Sequence, residues 1–344
     1  MIISTPDENE QRKMLFPYAT ERMDNVFKGN CHFGHYSSAK SIYSILSTET
    51  MFMFNADHMI DKNEISFGMK MLFDILREHT IQDKFNGILE KAGFKFTIQY
   101  IIDIINNEIQ IRKKKIYICC LTEHRTTEQQ INGRDYMWSE YTGDNGVAID
   151  ITNHIIDHGD MRERPFFLFS PVIYVDENDD SLLRKEVNRF IDVWSNVKIS
   201  HPLNAYDDEC LAISYLITVL MISIISIKKK HPYENEQEWR VVLYDDEILS
   251  SMLKNPKWFT RNKWLERSKF NGENIFKLHF NELFASDAYN GSSLPFLINR
   301  ILINSNEDEV KAIKDLAHKY DIEIVDKKCQ NNDQISVQLP PCLC

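Results

Sequence analysis

Apolar and polar positions along this chain recur in two rhythms, and the switches between them predict its elements. Residues 32–36 read as a short strand, Ser37 is a natural N-cap, and 39–46 follow with Ile42, Ile45 and Leu46 at helical spacing. The run TMFMF at 50–54, bounded by Asn55 and Asp57, predicts a strand that ends in a loop. From 64 to 107 the pattern is mostly helical, and IYICCL at 116–121 reads as a buried strand. Residues 126–141 predict a loop and short helix, then a turn at Gly143-Asp144-Asn145-Gly146 and a strand at 147–151. Residues 166–175 predict one strand, bent or at an edge near Pro171; 238–244, 296–303 and 322–325 predict further strands, 180–227 is mostly helical with a break near Pro202, and 307–320 is helical.

Strands fall in both halves with long helical insertions between them, and no repeat or Pro/Gly/Ser linker divides the chain. The pattern predicts an α+β fold: a mixed, mainly antiparallel sheet core in one domain over 31–328, with a lead-in at 1–30 and a tail at 329–344. Hydrophobic residues make up 43% of the 344, enough for a sizeable core without a metal or disulfide staple. The uncharged run 211–227 is shorter than the roughly 20 apolar residues a membrane span needs. It carries several hydroxyl side chains before Lys228-Lys229-Lys230 and predicts a buried core helix, with no membrane association. A formal charge of −11 argues against non-specific binding of polyanions by the whole surface, though not by a local basic patch. Seven cysteines, an odd number without a CxxC pair, suit free thiols in a reducing cytosol. Cys119 and Cys120 lie in a predicted buried strand, which argues against either as a nucleophile. The polar N-terminus lacks a secretion signal, so a cytoplasmic location is expected.

The most concentrated chemistry is Glu236-Gln237-Glu238-Trp239-Arg240. In a strand Glu236, Glu238 and Arg240 would share one face and Trp239 would pack on the other. A carboxylate beside a fixed guanidinium stays ionised while its neighbour is raised, which suits a hydroxyl-binding or cation-stabilising site; a cross-strand ion-pair ladder accounts for the same letters. His35, Tyr36 and Ser37 sit at a predicted strand-to-helix corner, where helix amides favour phosphate or ribose. Trp138 and Tyr141 offer stacking surfaces, or core. His32 and His35 lack the further ligands a zinc site requires. The stretch 254–269 interleaves Lys254, Lys257, Arg261 and Lys263 with Trp258 and Trp264, as a single-stranded nucleic-acid groove or a solvated amphipathic helix would.

In order, FGHYSS (33–38), ICCLTE (118–123), MWSEYTGDNGVAIDI (137–151), VIYV (172–175) and YENEQEWRVV (233–242) resemble a large prokaryotic family catalogued as domain of unknown function 2971. Asn55, Asp57 and Glu64 resemble a looser version of its Asn-Asp…Glu element, and the resemblance spans 33–325. A strand with His, a helix, and a later strand with glutamate also resemble the NAD-binding core of ADP-ribosyltransferases. That resemblance implies an enzyme that consumes NAD as substrate, in the manner of a toxin or phage-defence effector. His35 would hold the ribose with Tyr36 and Ser37 beside it, an aromatic residue (Tyr36, Trp138 or Tyr141) would stack the nicotinamide, and Glu238, with Glu236 and Arg240, would stabilise the cationic ribose. The alternatives are a non-catalytic nucleic-acid- or protein-binding module using the 254–269 stretch, and an NAD-independent nuclease using His35 and Glu238. In the enzyme reading the same stretch would contact a nucleic-acid or protein acceptor.

Overall fold

A computed structural model describes residues 22, 31–58, 63–142, 145–153, 167–196, 206–245, 265–279, 296–305 and 309–326. Period-two alternation builds β1 (His32–Ser38), and the helix cap falls one residue later than expected, on Ser38, whose Oγ accepts from the Ser41 N–H. Helix α1 (Ala39–Thr48) buries Ala39, Ile42 and Leu46 and leads into β2 (Thr50–Asn55). The helical stretch divides into α2 (Glu64–Leu76), α3 (His79–Lys91) and α4 (Ile98–Arg112). Strand β3 (Ile116–His124) runs three residues beyond its expected end. Helix α5 (Thr127–Asn132), a turn at Asp135–Met137 and a π-turn at Trp138–Thr142 precede β4 (Gly146–Asn153).

The strand expected over 166–175 is two strands in different sheets, β5 (Phe167–Pro171) and β6 (Ile173–Val175). Pro171 has no N–H for a ladder, and the next amides turn elsewhere: Val172 donates to the Glu238 carbonyl and Ile173 to the Ser226 carbonyl. Helices α6 (Ser181–Asn196) and α7 (Tyr206–Ile225) are followed by β7 (Ile227–Lys229) and β8 (Glu238–Tyr244). Residues 265–269, where an amphipathic helix was one reading, enter a hairpin of β9 (Leu265–Phe270) and β10 (Glu273–His279). Its turn, Asn271-Gly272, has φ of 51° and 86°, the left-handed pair that such a two-residue connection requires. Strand β11 (Phe296–Asn304), α8 (Glu309–Lys319) and β12 (Glu323–Asp326) end the described chain.

The main sheet runs β12-β11-β4-β1-β3-β2-β10-β9, and β8 pairs with β3 and β5; β6 and β7 form a small parallel pair. Of the main-sheet ladders, only β11–β12 is parallel, so the fold is α+β with a mainly antiparallel open sheet. On one face, Ile116, Ile118, Val242 and Tyr244 pack beneath α2, α3, α4, α6 and α7. On the other, Phe33, Leu121, Ile149, Trp239 and Ile301 pack beneath α1 and α8. Helix α7 lies in the first of these cores, and its hydroxyls are spent on its own backbone: Thr218 donates to the Ser214 carbonyl and Ser223 to that of Val219. Among the described residues no helix is long and apolar enough to cross a membrane.

Candidate functional site

Strand β8 is buried along its length, and Glu238, Arg240, Val242 and Tyr244 share the helix-covered face while Trp239 points to the other. Trp239 rests there against Phe33 and Phe169, and its Nε1–H donates to Glu123 at 2.8 Å. Glu236 is not part of the strand. It ends a 3₁₀ turn (Glu234–Glu236), and Gln237 then takes a left-handed conformation with φ of 47°. The two carboxylates meet nonetheless, because both reach one ammonium group: Lys228 Nζ donates to Glu236 Oε2 at 2.6 Å and to Glu238 Oε2 at 3.1 Å.

Arg240, fully buried, grips Glu238 with a fork, Nε to Oε1 at 2.7 Å and a terminal nitrogen to Oε2 at 3.0 Å. Its other terminal nitrogen contacts the Glu64 carboxylate at the start of α2 and the Ile225 carbonyl at the end of α7. The Tyr141 hydroxyl donates to Glu236 Oε1 at 2.7 Å, and Tyr141 is 44% exposed, so this edge of the cluster opens outward. The Tyr174 hydroxyl accepts from the Glu238 amide.

With every group ionised, the carboxylates of Glu64, Glu236 and Glu238 oppose the cations of Lys228 and Arg240, leaving one negative charge in excess. Burial would raise the Glu238 carboxyl, but Arg240 and Lys228 outweigh it and hold the group far below the usual range. Burial dominates at Glu236 and Glu64 and raises both, with the nearby Glu238 charge adding to the rise. Burial also acts against the Lys228 ammonium, but the surrounding carboxylates prevail and keep it protonated.

Cys120 differs from expectation: it is exposed, while Cys119 is buried. Cys120 pairs with Arg240 across β3 and β8 and so joins the carboxylate face. Solvent reaches the thiol, yet surrounding protein and then Glu238 push it well above its ordinary range, which leaves it a poor nucleophile.

The other predicted site residues separate from this cluster. On β1, Gly34 pairs with Thr122, on the Glu238 face, so His35 alternates to the opposite side with Phe33 and Ser37. There the His35 Nδ1–H donates to the Cys120 carbonyl, and burial lowers the ring's pKa. His35 and Glu238 therefore do not meet in one cleft. Tyr36 and Trp138 are buried against each other with ring centroids 4.9 Å apart, so neither offers a face for stacking; Tyr141 does.

The Tyr36 hydroxyl instead belongs to a buried chain. It accepts from the Arg134 amide and donates to His124 Nε2 at 2.8 Å. The His124 Nδ1–H donates to Asp150 Oδ1 at 3.0 Å, and His32 binds the other oxygen at 2.9 Å. Gly34 makes the chain possible, since a Cβ there would strike the His124 and Tyr36 rings. Burial lowers the pKa of His124, keeping it neutral, whereas hydrogen bonds from His124 and His32 overcome burial and hold Asp150 at about 2.

Two members of the cluster were missed from sequence. Lys228 read as the flank of an apolar helix; its signal is that it is the first charge after the uncharged run, eight residues before Glu236. Glu64 was noted only as part of a motif. Residues 254–264, which include the candidate contacts Lys254, Lys257, Trp258, Arg261, Lys263 and Trp264, lie outside the described residues.

No curated protein and no solved structure matches the chain. One family model does match, over residues 137–241, a stretch that supplies Tyr141, Lys228, Glu236, Glu238 and Arg240 but neither Glu64 nor Cys120. Over that stretch the chain is similar to the sequences described as protein of unknown function (DUF2971).

Proposed function

We propose that this protein is an NAD-consuming enzyme that breaks the nicotinamide–ribose bond, with Glu236 and Glu238 as its working carboxylates. The observation that carries the reading is the convergence of Glu236 and Glu238 on Lys228 beside the exposed Tyr141 ring. In NAD the positive charge begins on the nicotinamide ring. As the bond from the ribose breaks, its electron pair leaves with nicotinamide and the positive charge passes to the ribose carbon. A water molecule or a macromolecular acceptor then forms the new bond there and gives up a proton. With every group ionised the cluster is one negative charge in excess, and that state favours both the cationic substrate and the cationic transition state.

The roles differ from those the resemblance implied. Glu238 has both oxygens engaged by cations, so it fixes Lys228 and Arg240 and sets the field. Glu236 is as buried as Glu238, but its hydrogen bond to the exposed Tyr141 makes it the carboxylate nearest a ribose whose nicotinamide stacks on that tyrosine. His35, on the far face, has no part in this reading, and an NAD-independent nuclease using His35 and Glu238 together loses the shared cleft it needs. The reading includes a toxin or defence setting in the cytoplasm, the compartment that the free thiols Cys31, Cys119, Cys120 and Cys210 suit.

A structural ion-pair cluster is the competing reading, favoured by the full engagement of Glu238. Calorimetric titration of the protein with NAD, followed by assay for free nicotinamide, separates the two. The enzyme reading expects saturable binding and nicotinamide release. Absence of both, with cell extract supplied as a source of acceptors, overturns it.

A further inference from the structure

Positive charge gathers where β3 ends, around a single carboxylate. Glu123 is buried, and its oxygens are already shared among three side chains. They accept from Arg22 Nε at 2.9 Å, from Trp239 Nε1 at 2.8 Å, and from Arg125 Nε and a terminal nitrogen at 2.8 and 3.2 Å. Arg134 reaches the same residue through its main chain. One terminal nitrogen contacts the Glu123 carbonyl at 3.4 Å, and the other donates to the Asn235 carbonyl at 2.7 Å. Its Nε–H is buried with no hydrogen-bond partner. Among the described residues Arg134 forms no ion pair, and Glu123 is the one carboxylate within ion-pairing distance of Arg22 and Arg125. Glu128 and Asp135, the acidic residues next along the chain, are exposed and pair with none of the three. Three guanidinium groups thus share one carboxylate, a local excess of two positive charges in a chain of net charge −11.

Burial works against a cation that nothing neutralises. At Arg134 it lowers the guanidinium's pKa, and the charge of Arg125 adds to the effect. An external anion can reach both groups: Arg125 is 47% exposed, and Arg134 is half-buried with its bond to Asn235 at the surface. Each commits only part of its N–H fork to protein acceptors, and such a fork matches the oxygens of a phosphate. Two excess charges carried on separate side chains suit a ligand whose oxyanions also sit on two centres, as in a diphosphate, better than a single phosphate. The position fits a ligand site as well. Asn235 immediately precedes Glu236, so Arg134 ties the arginines to the edge of the carboxylate cluster where Tyr141 is exposed.

We infer that Arg125 and Arg134, backed by Arg22, form a binding site for the diphosphate group of a small molecule, at the end of β3 beside the start of β8. With NAD as substrate, its own diphosphate would sit here; that assignment rests on the reading proposed above, and the diphosphate site itself does not.

The test is calorimetric titration of the full chain with inorganic pyrophosphate, at roughly 50 mM salt and with a chelator present. The expected result is saturable binding that weakens as salt rises and is at least about tenfold tighter than binding of inorganic phosphate. Arg125→Gln should weaken it at least about tenfold. That variant leaves Glu123 held by Arg22 and Trp239, and circular dichroism checks that it is folded. Arg134→Lys keeps the charge but loses the fork, and it should also weaken binding. Arg184→Gln, which removes an arginine paired with Glu78 and Asp180, should leave the affinity unchanged. Pyrophosphate carries no nicotinamide, so the result stands whether or not NAD is cleaved. No binding, equal affinity in folded Arg125→Gln, or an equal loss in Arg184→Gln overturns the inference. So does binding of phosphate as tight as that of pyrophosphate.

Discussion

At Lys228, removing one ammonium group from water is compensated by two carboxylates within hydrogen-bonding distance. Lys228→Met keeps most of the side chain's volume but leaves Glu236 and Glu238 crowded and underneutralised. Loss of one partner from a buried ion cluster costs about 3–5 kcal/mol, and urea unfolding should register a loss in that range; a change under about 1 kcal/mol would contradict the placement of Lys228. Asp150 makes a pH-dependent contribution whose sign is fixed. Its folded pKa of about 2 lies below the ordinary value of roughly 3.9, so its stabilisation is complete above pH ~4 and is lost as pH falls toward 2. The shift is worth on the order of 2 kcal/mol, and Asp150→Asn should flatten that acid limb in unfolding measured across pH. His124 acts in the same direction at higher pH: its lowered pKa means stability begins to fall as pH drops below roughly 6.5. Legibility at this scale followed the range of the physics. Trp239 was placed on the correct face because alternation within one strand is local. His35 was not, because its side relative to Glu238 depends on the register of three strands, and that is set by tertiary pairing.

Helices α2 and α7 cross where Gly68 meets the Ile224 carbonyl, and a Cβ at Gly68 would collide with that oxygen. Gly68→Ala in an exposed helix would stabilise by about 1 kcal/mol through propensity. Here the collision should reverse the sign and cost about 1–3 kcal/mol, visible as a lower urea midpoint; a raised midpoint would refute the close crossing. That contact matters for the site because α2 delivers Glu64 and the end of α7 delivers Lys228. Long elements with strong periodicity were the easiest to read: α1, β3, α7 and β8 all stood out from hydrophobic spacing. The β9–β10 hairpin was obscured because basic and aromatic residues crowd the sequence before it, although Asn271-Gly272 marks the turn. The division of 166–175 followed from Pro171, a residue noticed in advance, but a bend and a change of sheet leave the same mark on a sequence.

Across the described residues, one sheet face is divided between helices that bury Ile116 and Val242 and an end where Phe54 and Phe270 are partly exposed, with the carboxylate cluster and Cys120 on the same face. The sequence conveyed the α+β class and the importance of 236–240, while the convergence on Lys228 and the openness at Tyr141 arise only when β6, β7 and β8 come together. If the cluster acts as its charge suggests, kcat/KM for NAD should rise with pH as Glu236, whose pKa burial raises, loses its proton. The most direct test of the central claim compares nicotinamide release from NAD by the wild-type protein and by Glu236→Gln, with matching circular dichroism spectra. The account predicts release by the wild type and a rate at least about 100-fold lower in the variant. Equal release by both proteins, or none by either, would contradict it.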